Sequence, residues 1–208
     1  MDARLNQQMH FIITCDRLKH TLRKTNLHNG SRKENSAEHS WHLALMALTL
    51  AEHVPEKTSI HRVIELLLVH DLVEILAGDT YFAASAEEKA KQAELEQEAA
   101  RDLFALLPEP QSQHFLTLWK EFEEAQTPEA QFARALDALQ PMLLAWGMQG
   151  KGCKDEYPEL TRRTLLELKA KHLQKFPSLW DYTQDMLTEA VQCGALDGGE
   201  EDKANSAT

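Results

Sequence analysis

The segment IHRVIELLLVHDLVEILA, residues 60–77, is apolar on most faces of any helix it could form, yet it carries His70, Asp71 and Glu74 near its end. At 3.6 residues per turn, His70 and Glu74 (four apart) and Asp71 and Glu74 (three apart) share one sector. Burying each charge without a partner costs several kcal/mol. A fold that takes this segment into its core must therefore bring compensation to that sector. A divalent cation does so, because it binds carboxylate and neutral imidazole alike. An ion-pair or backbone partner is the alternative, and the His-Asp dipeptide alone does not separate the two.

Helical patterning dominates the rest of the chain. Eight glycines and seven prolines in 208 residues disfavour a turn-rich β protein, and no run of period two competes as a strand. The pattern predicts a first helix over 3–23, with Leu5, Met9, Ile12, Ile13 and Leu18 on its apolar side, and a polar loop over 24–35 turning at Asn29-Gly30. A second helix starts at Asn35, with Glu38 completing a capping box, and its run Trp41–Leu50 is predicted to be central and buried. The third runs from Thr58 or Ser59 to Ala77 and stops at Gly78. Ser85 and Glu88 open a charged fourth helix to about Leu107, with one solvated face. A fifth spans 111–125, and a sixth starts at Thr127-Pro128 and passes through Asp137 to Met148. Two more cover 158–175 and 179–193, the last capped by Ser178 and stopped by Gly194. Trp41, Trp119, Trp146 and Trp180 sit in apolar helical rows and are expected in the core or an interface. The expectation is one all-α domain over 1–196 followed by a disordered acidic tail, 197–208.

The net charge of −11 and the absence of a Lys/Arg stripe argue against nucleic acid as a partner. An anionic substrate would need local cations. No apolar run is long enough for a signal peptide or a membrane span, and Cys15, Cys153 and Cys193 are far apart and odd in number. Reduced thiols and a cytoplasmic location are expected.

Two further candidates could join His70 and Asp71. His39 begins the apolar second helix, and Asp137 lies among Leu136, Leu139, Leu143 and Leu144. Pro141, four residues after Asp137, removes the N–H partner of the Asp137 carbonyl. The resulting kink either aims Asp137 inward or merely bends the helix around the core. Two imidazoles and two carboxylates suit one divalent transition ion, Co, Mn, Fe or Zn, better than Mg or Ca. Such an ion lowers the pKa of a bound water toward ~7 and polarises a phosphoryl oxygen. Glu74 is the candidate general acid/base. Asp79 would fix a substrate hydroxyl or steer Glu74, or simply close the helix. Arg23, Arg32 and Lys33 are the nearest cations for a phosphate, Lys33 being the most natural surface charge. His42 is expected beside the ligands rather than among them, and the remaining histidines at the surface or at helix caps.

ENSAEHSWHLALMA, LLVHDLVEILAGD and FARALDALQPML, in that order, resemble the HD-domain metal phosphohydrolases, over about residues 10–150. The nearest branch contains bacterial 5′-deoxynucleotidases and their eukaryotic relatives. The resemblance implies an HD-type helical bundle with a buried metal on His39, His70, Asp71 and Asp137. It places the catalytic glutamate at Glu74, the following Gly-Asp at Gly78-Asp79 and the phosphate-binding arginine at Arg23. It further implies hydrolysis of (deoxy)nucleoside 5′-monophosphates, often by homodimers. In the bacterial nucleotidases a tryptophan follows the arginine; here Lys24 does. Competing expectations are a nucleoside triphosphate or cyclic phosphodiester as substrate, oxygenation at a two-iron site, and a non-catalytic helical module with a structural metal. The triphosphate asks for more cations than this acidic chain offers, the second iron for more ligands, and the module leaves Glu74 without a purpose.

Overall fold

The computed structural model describes residues 2–79 and 85–199. Helix α1 (Ala3–Cys15) is capped by the Asp2 side chain and followed by a 3-10 turn over 16–20. Strands β1 (Leu22–Asn26) and β2 (Lys33–Asn35) pair antiparallel, with Leu22 opposite Asn35 and Asn26 opposite Lys33. Helix α2 (Ser36–Thr49) follows, with Asn35 and Glu38 forming the expected capping box. Helix α3 (Ile60–Val69) passes through a 3-10 stretch at 70–73 into the single turn α4 (Glu74–Ala77). Then come α5 (Ala86–Phe104), boxed by Ser85 and Glu88, and α6 (Gln111–Glu124). The chain continues as α7 (Pro128–Trp146), α8 (Arg162–Leu173) and α9 (Pro177–Gln192).

Helix α7 is the centre. It starts as the sequence dictates, with Thr127 capping and Pro128 at the first position. It packs against α2, α3, α6, α8, α9 and β1. Its Phe132, Leu136, Leu139 and Met142 meet Leu43, Leu66, Leu67 and Phe122 in one continuous core. Each such side chain contributes about 1.5–3 kcal/mol when buried. That packing holds α7 helical through Pro141, despite the lost hydrogen bond. Among the described residues, no helix is long and apolar enough to cross a membrane.

Several expectations need correcting. The first helix ends at Cys15, and Leu5, Met9, Ile12 and Ile13 are exposed; Phe11 and Leu18 are what this region buries. The loop over 24–35 is a hairpin, whose strands LRKTN and KEN carry no apolar alternation to announce it. On α2, His39, Leu43, Met46 and Ala47 face inward, while Trp41, Leu45 and Leu48 face solvent, Trp41 at 64% exposure. Trp119 and Trp146 are buried as expected. Ser178 does not cap α9, which starts one residue earlier at Pro177. Asp197 and Gly198 accept hydrogen bonds from the first amides of α8, Arg162 and Arg163. The chain is thus still pinned where a loose tail was expected, and 200–208 lie outside the described residues.

Candidate metal centre

The 3-10 stretch at 70–73 has a local cause. The His70 ring donates Nδ1–H to the Leu67 carbonyl at 2.8 Å, the acceptor an α-helical Asp71 amide would use. Tightening the turn there places His70 and Asp71 side by side at the bottom of a cleft of about 870 Å³. Helix α2 supplies His39 from one side and α7 supplies Asp137 from another. Donor atoms of His39, His70 and Asp137 all lie within 4.8 Å of one another. His39 Nε2 is 3.1 Å from Asp137 Oδ1 and 3.9 Å from Asp71 Oδ2, and His70 Nε2 is 3.0 Å from Asp71 Oδ1.

The donor set fits a divalent transition ion. With Nδ1–H spent on Leu67, His70 turns the lone pair of Nε2 into the cluster, where that buried nitrogen makes no hydrogen bond. His39 is equally committed, its Nδ1 lying 3.0 Å from Gln140 Oε1. Two imidazole nitrogens and neighbouring carboxylate oxygens thus converge in one place.

Charge accumulates around this place. Burial and Arg23 push the His39 imidazolium down. The Asp137 and Glu34 carboxylates and the charge of Asp71 outweigh them and raise it to about 9. Burial works against an ionised Asp71, but His70 and then Arg23 hold its carboxyl down at about 2. Asp137 likewise stays well below the usual carboxylate range against its burial, held by its hydrogen bond to His39. Glu74 goes the other way: burial first, then Asp71 and Asp79, push it up to about 10. Its Oε2 accepts from Ser36 Oγ at 2.6 Å. Asp79 is raised as well, chiefly by burial. The cleft thus pairs ionised carboxylates beside the imidazoles with a protonated carboxyl one turn away, a division of labour typical of acid/base sites.

Arg23 lies in the cleft, its Nη1 3.1 Å from Asp71 Oδ2 and its Nε 3.6 Å from Glu34 Oε2. Arg32 is not brought there. It sits at the hairpin end, where its guanidinium forms a fork with the Glu38 carboxylate, at 2.6 and 2.8 Å. Arg134 and Lys169 line the cleft instead. Arg134 is three residues before Asp137 on α7, a spacing that could have signalled it. Lys169 comes from α8, so the chain after 150 does reach the site. His42 occupies the supporting place expected of it, its Nδ1 3.1 Å from Gln140 Nε2. Glu34 and Gln140 were not singled out from the sequence, although both are buried polar residues within the motifs that hold His39 and Asp137.

An HD-domain family model matches residues 15–180. The chain belongs to the HD-domain family. Its architecture agrees: this HD-domain chain superimposes on the crystal structure of a predicted metal-dependent phosphohydrolase from Magnetospirillum magnetotacticum MS-1 with a TM-score of 0.83 and 41% identity, covering 94% of this chain and 97% of that one. It is 31% identical over 117 residues to the 5′-deoxynucleotidase HDDC2 of Homo sapiens, covering 56% of this chain and 55% of that protein. The counterpart of Bos taurus is 34% identical over 118 residues, with 56% and 55% covered. The HD-domain chain therefore aligns with about half the length of these curated relatives.

Proposed function

We propose that the protein is a metal-dependent phosphohydrolase that removes phosphate from (deoxy)nucleoside 5′-monophosphates. The observation that carries this is the cluster of His39, His70 and Asp137 with the buried Glu74 carboxyl beside it, held by Ser36. His39, His70, Asp71 and Asp137 would hold one divalent ion, Co, Mn, Fe or Zn. Such an ion supplies Lewis acidity to a water and to a phosphoryl oxygen.

The chain's own residues supply the rest. Arg23, Arg134 and Lys169 provide the positive charge a phosphate needs in an acidic protein. Water attacks phosphorus and the ester P–O bond breaks. Glu74 gives its proton to the leaving oxygen and takes one from the attacking water, so alcohol and hydrogen phosphate leave and the carboxyl is restored. Ser36 keeps Glu74 in place. Asp79, beyond the helix end, orients a substrate hydroxyl. An apolar cavity shares Lys24, Thr25, Pro141 and Lys169 with the metal cleft and is lined further by Leu27, Met142 and Trp146. Its character favours a ring-bearing leaving group over a small polar one. The names of the HDDC2 relatives support the same substrate class.

The test is phosphate release from a nucleotide panel after chelation, with Co or Mn then restored. Metal-dependent release from 5′-monophosphates is expected. A protein that binds one ion tightly yet releases nothing would favour a structural metal. We propose further that the enzyme works in the cytoplasm as a homodimer, the exposed Trp41, Leu45 and Leu48 on one side of α2 being of the kind that copies of a chain cover.

A further inference from the structure

Behind the metal centre lies a second polar layer that none of the roles above uses. His39, Gln140 and Glu34 are 0%, 0% and 2% exposed, so bulk water does not reach them. Gln140 Nε2 donates to Glu34 Oε1 at 2.7 Å. A carboxylate oxygen accepts and does not donate, so this contact fixes which end of the Gln140 amide faces Glu34. The other end, Oε1, then faces His39 Nδ1 at 3.0 Å and can only accept. Nδ1 therefore carries the hydrogen, and Nε2, which lies 3.1 Å from Asp137 Oδ1, is the nitrogen turned to the metal centre. The second Nε2 hydrogen of Gln140 points at His42 Nδ1, 3.1 Å away, so every group in the chain has one consistent role. The other oxygen of Glu34, Oε2, lies 3.6 Å from Arg23 Nε and 3.6 Å from His39 Nδ1.

We infer that Glu34 and Gln140 are positioning residues. Gln140 holds His39 in the tautomer that offers Nε2 to the ion, and Glu34 fixes Gln140 and the phosphate-facing Arg23 together. One buried carboxylate thereby aligns the metal half and the phosphate half of the site. The inference rests on the proposed ligand role of His39. It differs from a packing role, in which loss of Gln140 lowers stability but leaves the folded protein's affinity for the ion unchanged.

The experiment measures Co(II) affinity of the folded protein by competition with a chromophoric chelator, alongside melting temperature. His39→Ala tests the ligand role separately; retained affinity there removes the foundation. With His39 established, Gln140→Met, close in shape and without the amide, is expected to weaken Co(II) binding about 10–100-fold. Glu34→Gln, which keeps an acceptor for Gln140 but loses the charge facing Arg23, should instead raise KM for the phosphoester and weaken Co(II) less. The charge swap Glu34→Gln with Gln140→Glu rebuilds donor and acceptor in reverse and should recover affinity relative to Gln140→Met. An unchanged Co(II) affinity in folded Gln140→Met overturns the inference. Should that variant not fold, ring-nitrogen NMR of the Zn-loaded wild type decides: a protonated Nδ1 on His39 is expected, and coordination through Nδ1 overturns it.

Discussion

Removing the Arg23 guanidinium from metal-free protein should be among the most costly single changes at this site. The side chain is 13% exposed and is the cation shared by two carboxylates, Asp71 at 3.1 Å and Glu34 at 3.6 Å. An ion pair near 4 Å is worth about 4 kcal/mol at the effective dielectric of a protein. Most of that is offset in the wild type by the desolvation of the charges. Arg23→Met leaves that desolvation in place for both acids and removes the attraction, so a loss of about 3–5 kcal/mol is expected. With an m-value of about 2 kcal/mol per molar, the urea midpoint should fall by about 2 M. In a domain of this size the melting temperature should fall by roughly 10 °C. The assay is equilibrium urea unfolding at neutral pH after chelation, followed by circular dichroism. Glu34→Gln placed on top of Arg23→Met removes one stranded charge and should return part of the loss. A midpoint within about 0.5 M of the wild type would refute the reasoning, because it would mean that water already screens these carboxylates.

Asp137→Ala should lose both tight Co(II) binding and phosphate release, whereas Glu74→Gln should lose release and keep the ion; isothermal titration and a phosphate assay read both. Chelation should lower the melting temperature, since an ion at a hundred times its Kd adds about 2.7 kcal/mol to the folded state. Burial, with help from Lys171, Arg134 and Lys169, lowers the His172 pKa from 6.5 to about 4. A depressed histidine contributes stability that is complete above pH 6.5 and drains away as pH falls toward 4. The full shift is equivalent to about 3 kcal/mol, and solvent screening of this partly exposed ring brings the expectation to roughly 1 kcal/mol. His172→Gln should flatten the acid limb of stability against pH by that amount, and an unchanged limb would count against it. Leu45→Glu should shift the mass in solution from dimer to monomer, as light scattering after gel filtration would register.

What the sequence revealed and what it hid have separate physical origins. Capping boxes at Asn35 and Ser85 and the Thr127-Pro128 start are local hydrogen-bond chemistry, readable from a few residues. Ionisable residues inside apolar helices announce themselves by their desolvation cost, which is why His39, His70, Asp71 and Asp137 could be found. The hairpin was hidden because its strands are polar and held from outside: Asn26 donates to Glu156, Lys33 pairs with the same residue, and Lys24 accepts through its carbonyl from Tyr157. Without those long-range contacts nothing in LRKTN favours a strand. Arg32 and Arg23 looked alike from their neighbourhood, and only the fold separated the one beside Glu38 from the one beside Asp71. Glu34 and Gln140 became meaningful only once residues about a hundred positions apart had met.

The antiparallel ribbon pairs Leu22 with Asn35 and brings the neighbouring Arg23 Nε to 3.6 Å from Glu34 Oε2, so it acts as a ruler as well as a wall. Lengthening its tip, between Asn26 and Lys33, leaves that alignment untouched, and such insertions should be tolerated. Deleting Leu22 would instead move Arg23 one place along the ribbon, turn it to the opposite face and leave Glu34 without its cation. Sequence variation should therefore accumulate at the tip of the ribbon, while the stem near α2 admits almost none.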